Sequence, residues 1–173
     1  MGQSVSVKIG ARMHESIHHL IHANIAIMRA PLDDPRMVDF LALADKIDAL
    51  AQAAPGFVAQ TAPPDEGAVY TGNTLLNLSI WESVEHLKQF TYAGQHARAL
   101  ERRAEWFAQT PDRNYVLFWL PASEIPTEEE VARRRDYLSA YGPTPYAFTF
   151  NEGFTIHDLQ HFEIRSSNAQ HRP

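Results

Sequence analysis

The sequence predicts a mixed α+β fold in which strands and helices follow one another in the order βαββαβ. Three observations support this order. Short stretches of alternating hydrophobicity indicate strands, longer stretches with capping residues indicate helices, and Pro- or Gly-containing turns separate them. At 173 residues the chain is long enough for one domain with its own core.

The first half contains two strands and a helix. Residues 19–30 alternate, with Ile21, Ala23, Ile25 and Ile27 on one face and Leu20, His22, Asn24 and Ala26 on the other. Asp34 can cap a helix and Pro35 suits its first turn, so a helix is predicted from there to about Ala54. A short strand is predicted over 56–61 and a polar loop over 62–72.

The second half repeats the pattern. Residues 75–81 form a predicted strand, with Leu76, Leu78 and Ile80 on one face and Leu75, Asn77, Ser79 and Trp81 on the other. Ser83 caps a helix that reaches Phe107, with a break predicted near Tyr92-Ala93-Gly94 because glycine weakens a helix interior. The apolar run 115–121 is the last strand.

The C-terminal part adds one helix and one extended arm. Thr127 and Glu130 form a capping box, and Gly142-Pro143 ends the helix. Residues 142–150 are extended and are expected to dock as an edge strand or arm. The resulting organisation is an N-terminal arm over 1–18, a single domain over 19–150 and a tail over 151–173.

Composition excludes several classes of function. The net charge of −6 argues against a nucleic-acid partner, since phosphate binding needs clustered Lys and Arg. The absence of Cys excludes disulfides, thiolate metal sites and a Cys nucleophile. No apolar run reaches the length of a membrane span, so no membrane partner and a cytoplasmic location are expected.

The βαββαβ order is the ferredoxin-like plan, in which two helices cover one face of an antiparallel sheet. We expect the helices to cover the purely aliphatic faces of the strands at 19–30 and 75–81. The opposite face, which includes Trp81, would then form a large apolar patch. A homodimer whose two sheets pack face to face into an α/β barrel is therefore expected.

Polar residues on that opposite face are candidates for ligand binding. His22, Asn24, Asn77 and Ser79 would lie with Trp81 in a mostly apolar interior. Because a buried amide without a partner costs about 1–3 kcal/mol, the two asparagines either satisfy one another or orient a ligand. Trp119, on the last strand, is a further candidate wall of the pocket, although tryptophans are more often core residues.

The helix after Trp81 carries the candidate catalytic residues. His96 and Arg103 are seven residues apart and share one side of the helix, and Tyr92 lies one turn before His96. A histidine beside a cavity can act as a base or bind haem iron, although it can equally be a packed residue with a local hydrogen bond. No metal site is predicted among the N-terminal histidines, because His22 falls in a strand.

Several stretches carry a resemblance to a known family: NIAIMRAPLDDPRM, APGFV, LLNLSIWESVEHLKQFTY followed by His96, RRAEWF, LFWLPA and GPTPYAFTF. Over roughly 19–150 the chain resembles the DUF3291 family of bacterial proteins. That family is similar to the dimeric α+β barrel superfamily, which includes antibiotic-biosynthesis-type and haem-degrading monooxygenases. The resemblance implies a pocket between sheet and helix and gives His96 a functional role. The arm before residue 19 and the tail after Phe150 depart from the family pattern and can cover or reshape the pocket.

Three hypotheses follow from the residues and the resemblance together. The first is a monooxygenase-like or rearranging enzyme that acts on an aromatic or polycyclic substrate without a cofactor, with His96 as base and Arg103 as anion stabiliser. The second makes His96 the axial ligand of haem. The third is a non-catalytic dimer that binds a small ligand.

Overall fold

The computed structural model describes residues 17–61, 69–71, 73–110 and 114–162. Its strands are β1 (His18–Ile27), β2 (Phe57–Thr61), β3 (Val69–Thr71), β4 (Thr74–Trp81) and β5 (Tyr115–Pro121). Its helices are α1 (Val38–Gln52), α2 (Val84–Thr91), α3 (Gly94–Arg102) and α4 (Glu128–Tyr141), and single 3-10 turns lie at Pro35–Met37 and Arg103–Glu105. No helix among these residues is long and apolar enough to cross a membrane.

The sheet has the predicted ferredoxin-like topology. Its strand order is β2-β4-β1-β5, and every neighbouring pair is antiparallel. The central pair β1 and β4 sets His22 opposite Ser79 and Asn24 opposite Asn77. The short β3, which also pairs with β4, lies in the segment predicted to be a loop.

Capping residues mark the beginning of the helical segments where the sequence predicts. The Asp34, Ser83 and Thr127 side chains each accept a hydrogen bond from a backbone N–H of the first turn that they precede. The predicted break between α2 and α3 is present: α2 ends at Thr91, and α3 begins at Gly94, whose φ is +56°. A positive φ favours glycine, so this residue permits the change of direction.

The prediction of which sheet face the helices cover is wrong. Helices α1 and α2 contribute to a core with Leu20, Trp81 and Leu117, which belong to the opposite face. The aliphatic face packs against α4 instead, through Val131 and Leu138. Alternation shows which residues share a face, but both faces carry large apolar side chains, so it does not show which one receives which helix.

This arrangement removes the reason for expecting a homodimer. Trp81 is fully buried within one chain, between Phe57 and Phe90, and does not contribute to an open patch. The homodimer itself stays a prediction.

The segment after α4 docks on the outer edge of β5. Phe148 and Leu117 exchange two backbone hydrogen bonds of 2.9 Å, and Phe148 is fully buried. The expected edge arm is therefore present. The first part of the tail is also ordered: residues 156–162 are helical, and Leu159 packs into the core beside Trp119.

Candidate functional site

A cavity of about 370 Å³ lies between the polar face of the sheet and helices α1 and α3. It adjoins a recess of about 60 Å³ that extends toward Trp81. The two spaces share the side chains of His22, Asn24, Ile47, Thr91 and His96. A volume of this size is in the range, roughly 300–1,000 Å³, that holds small organic ligands.

Eight of the nine predicted site residues surround this space. His22, Asn24, Tyr92, His96 and Arg103 line the larger cavity. Asn77, Ser79 and Trp81 line the recess, together with His22, Asn24 and His96. The residue pattern therefore identified a group of side chains that the fold brings together.

Trp119 lies outside the cavity, so its predicted role as a pocket wall is wrong. It shares a sheet face with His22, but it pairs with Leu20 at the far end of β1. Its indole N–H donates to the carbonyl of Phe154 at 2.7 Å, and its ring packs in the core beside Leu159. The alternation of the strand correctly predicted that Trp119 lies on the same face as the site. It did not show that Trp119 lies too far along the strand to reach the cavity.

His22 is held by a short chain of hydrogen bonds from the recess. The indole N–H of Trp81 donates to Ser79 Oγ at 3.0 Å, and Ser79 Oγ lies 3.3 Å from His22 Nδ1. The Ser79 hydroxyl has one proton and a second lone pair, so it can pair with His22 Nδ1 in either neutral form of the imidazole and holds the ring in place. Burial, with a smaller effect of His96, lowers the pKa of His22 to about 4.

His96 is oriented by the helix break. Its Nδ1 lies 2.9 Å from the backbone carbonyl of Thr91, the last residue of α2. A carbonyl only accepts, so Nδ1 carries the proton and Nε2 keeps its lone pair. Burial lowers the pKa of His96, although the hydrogen bond to Thr91 opposes this shift. His96 is therefore a neutral base at pH 7.

Arg103 supplies a fixed positive charge to the cavity. It follows α3 by one residue and is half-buried. With the amide of Asn114 oriented so that its oxygen faces the guanidinium, that oxygen accepts from Nη1 at 2.6 Å and from Nη2 at 2.9 Å. A neutral amide fixes the position of the guanidinium without cancelling its charge.

Three further polar groups have no partner among the described residues. Asn24 and Asn77 lie side by side on β1 and β4, yet neither side chain forms a hydrogen bond there. The Thr91 hydroxyl is buried and also has no partner. The prediction left open whether the two amides satisfy each other or serve a ligand; they do not bond to each other here, and a role toward a ligand stays a prediction.

The remaining wall of the larger cavity is aromatic and aliphatic. Tyr92 is 60% exposed and contacts the Phe150 ring, which places it at the rim. The apolar lining includes Phe40, Leu43, Leu100, Trp106, Phe107 and Phe150. Such a wall suits a planar apolar ligand with a few polar atoms.

Sequence reasoning missed Thr91 and Asn114. Thr91 is one residue from the predicted helix break, and a helix end leaves carbonyls free, which is a usable signal. Asn114 precedes β5 and joins the site only because Tyr115 pairs with Asn24. No sequence pattern marks that contact with Arg103.

The residues fit haem poorly. His96 has the hydrogen-bonded Nδ1 and free Nε2 of an axial ligand. However, Arg103 is the one fixed cation that lines the described part of the cavity, whereas haem has two propionates. The volume of 370 Å³ is also near the lower limit for drug-sized ligands, which are smaller than a porphyrin.

Comparison with solved structures gives distant similarities. NE2512 from Nitrosomonas europaea, a protein of unknown function, is 12% identical with a TM-score of 0.44, over 65% of this chain and 98% of that one. SnoaB from Streptomyces nogalater, a cofactor-independent oxygenase, is 12% identical with a TM-score of 0.40, over 64% and 98%. Rv0793 from Mycobacterium tuberculosis is 12% identical with a TM-score of 0.42, over 64% and 99%.

No curated protein matches the sequence. The family described as a domain of unknown function, DUF3291, matches residues 19–163. The match therefore continues past Phe150 and includes the helical segment 156–162 of the tail. The chain belongs to the DUF3291 family.

Proposed function

We propose that the cavity is an active site in which His96 removes a proton from a small aromatic substrate, and that the resulting enolate reacts with dioxygen without a cofactor. The observation that carries this proposal is the hydrogen bond between His96 Nδ1 and the Thr91 carbonyl. It leaves a neutral imidazole with a basic Nε2 at the cavity wall. General bases of this kind accelerate proton transfer by about 10²–10⁴-fold.

The second histidine supports the proposal because burial keeps it neutral on the same cavity wall. The chain from Trp81 through Ser79 holds the His22 ring, and in the proposed mechanism His22 carries its proton on Nε2 and donates it to the substrate oxygen. A base and a donor in one cavity allow a proton to leave carbon while the neighbouring oxygen gains a hydrogen bond. The Asn24 and Asn77 amides and the charge of Arg103 add further stabilisation of the developing oxyanion.

The shape and polarity of the cavity support an aromatic substrate. Apart from the polar groups above, the wall consists of aromatic rings and aliphatic side chains. An apolar wall also lowers the local dielectric around a ligand, which strengthens hydrogen bonds to an enolate.

Anthrone is a suitable probe for this activity. Its enolate reacts with dioxygen, and the overall conversion, anthrone plus O₂ to anthraquinone plus water, is balanced without another reductant. We expect the wild-type protein to accelerate anthraquinone formation and oxygen uptake, and His96→Ala to reduce the rate by about 10²-fold or more. Unfolding temperatures of both proteins show whether the variant is folded.

The control is His157→Ala, which removes an exposed histidine far from the cavity lining. It should leave the rate unchanged. Equal rates for wild type and His96→Ala contradict a catalytic role of His96. Binding of anthrone with a raised melting temperature but no product would instead identify the protein as a non-catalytic ligand-binding protein.

A further inference from the structure

Arg103 differs from the neighbouring arginine in its partners. Arg102 forms two hydrogen bonds with Glu105, at 2.8 and 2.9 Å, and lies 3.5 Å from Asp39. Arg103 has no Asp or Glu within ion-pair distance among the described residues. The cavity also has no carboxylate in its described lining, and the nearest recess contributes only Asp48, which is hydrogen-bonded to Gln60.

The lack of a carboxylate partner for Arg103 among the described residues does not reflect a shortage of acidic side chains. The protein carries 21 acidic residues against 15 basic ones, so acidic partners are abundant. A half-buried guanidinium whose charge is not neutralised is costly in an apolar wall, and a bound anion offsets that cost. Asn114 occupies part of the guanidinium with a neutral oxygen and holds it in place through both terminal nitrogens.

Asn114 is itself fixed by the sheet. Its backbone carbonyl accepts from the Ile25 N–H at 2.6 Å, at the point where β1 meets the beginning of β5. The guanidinium therefore has a rigid support on one side and the cavity on the other. Asn114 occupies the fork between the two terminal nitrogens, so the edge formed by Nε and the neighbouring terminal nitrogen remains for two-pronged binding of a carboxylate.

We infer that the natural ligand is an aromatic carboxylic acid whose carboxylate binds Arg103. This inference rests on the proposed function and adds the class of substrate. Seven residues separate His96 from Arg103, which corresponds to about 10 Å along a helix. The carboxylate therefore anchors one end of the ligand, and the reacting carbon lies one or two rings away, beside His96.

Equilibrium binding of matched acids and amides tests this inference. The probes are benzoate, 2-naphthoate and anthracene-2-carboxylate, each compared with its carboxamide at pH 7.5 by calorimetry. We expect at least one acid to bind about tenfold or more tightly than its amide, with the preference decreasing at high salt. Failure of every acid to bind more tightly than its amide overturns the inference.

Two variants locate the preference. Arg103→Gln should abolish the preference for acids. Arg98→Gln removes an exposed arginine of α3 that does not line the cavity, and it should leave the preference intact. A preference that survives in Arg103→Gln overturns the assignment to this residue.

The same titration separates this inference from the proposed catalysis. His96→Ala should keep the preference for acids, because the anchor is two turns away. If acids are preferred but His96→Ala oxidises anthrone at the wild-type rate, the carboxylate site stands and the catalytic proposal fails. If the acid preference is absent but His96→Ala abolishes turnover, the catalytic proposal stands and the carboxylate site fails.

Discussion

Neighbouring residues of the same strands form the two faces of the sheet, and one face is packed while the other borders a cavity. The face of Ile21, Ala23 and Leu78 is closed by α4, and its residues are almost completely buried. The face of His22, Asn24 and Asn77 is covered by α1, α2 and α3, and these three side chains are only half-buried because a cavity remains above them.

Polar groups on the two sides are treated in opposite ways. Beside the closed face, Arg134 is buried with an ion pair to Glu130, a hydrogen bond to the Tyr146 carbonyl and stacking over the Tyr146 ring. Beside the cavity, the partner that the described residues offer the Arg103 guanidinium is the neutral amide of Asn114. The closed face gives its buried cation an acidic partner, whereas the cation of the cavity face has none among the described residues.

The largest expected difference concerns the two arginines. Arg134→Gln leaves Glu130 and the Tyr146 carbonyl without their buried donor, and we expect the free energy of unfolding to fall by about 2–4 kcal/mol. Arg103→Gln removes a cation that has no acidic partner in the described part of the chain, and we expect the free energy of unfolding to change by no more than about 0.5 kcal/mol. Urea denaturation of both variants measures the difference. Equal losses would show that Arg103 serves the fold.

A smaller difference is expected when volume is added to each face. Ala23 is fully buried on the closed face, so Ala23→Leu overpacks the core and should destabilise the protein by about 1–3 kcal/mol. Ala99 lines the cavity, so Ala99→Leu fills empty space and should leave stability within about 0.5 kcal/mol while weakening ligand binding. A stable Ala23→Leu protein, or a strongly destabilised Ala99→Leu protein, would contradict the contrast between a packed and an open face.

The pH dependence of stability tests the cavity face further. The pKa of His22 is about 4 in the folded protein against 6.5 in the unfolded chain, so the unfolded state takes up its proton first as pH falls. The free energy of unfolding should therefore decrease between pH 6.5 and pH 4. Because water reaches the cavity, we expect this decrease to be about 1–3 kcal/mol, which is less than the full difference between the two pKa values would give.

His22→Gln serves as the comparison for that measurement. The variant lacks this titration, so its stability should change less over the same pH range. The smaller contribution of His96, whose pKa burial also lowers, acts in the same direction and remains in the variant. Identical pH profiles for the two proteins would show that His22 is not held in its neutral form by the fold.

Much of the architecture was predictable because it depends on local signals. The Ser83 and Thr127 caps, the break before Gly94 and the period-two alternation of β1 and β4 are properties of neighbouring residues. The same alternation grouped His22 and Asn24 with Asn77 correctly, because residues on one face of paired strands remain together in any register that keeps the pleat.

The remainder depended on contacts between distant segments. Both faces of the sheet carry large apolar side chains: Leu20 and Trp81 lie on one face, and Ile21 and Ile80 lie on the other. Packing α1 and α2 against either face would bury apolar surface, so the sequence pattern does not show which face they cover. The contact between Arg103 and Asn114 arises where the turn after α3 meets the residue before β5. Trp119 shows that the face alone does not place a residue in the site. It lies on the same face as the site residues, but its strand extends past the cavity.

The protonation of His96 tests the central claim most directly. In protein labelled with ¹⁵N-histidine, long-range ¹H–¹⁵N correlation spectra distinguish the two neutral imidazole forms, and His96→Ala identifies the signal. The geometry predicts a neutral His96 at pH 7 with its proton on Nδ1, and a pKa below 6.5. A proton on Nε2, or a pKa of 6.5 or higher, would contradict the assignment of His96 as the base of the cavity.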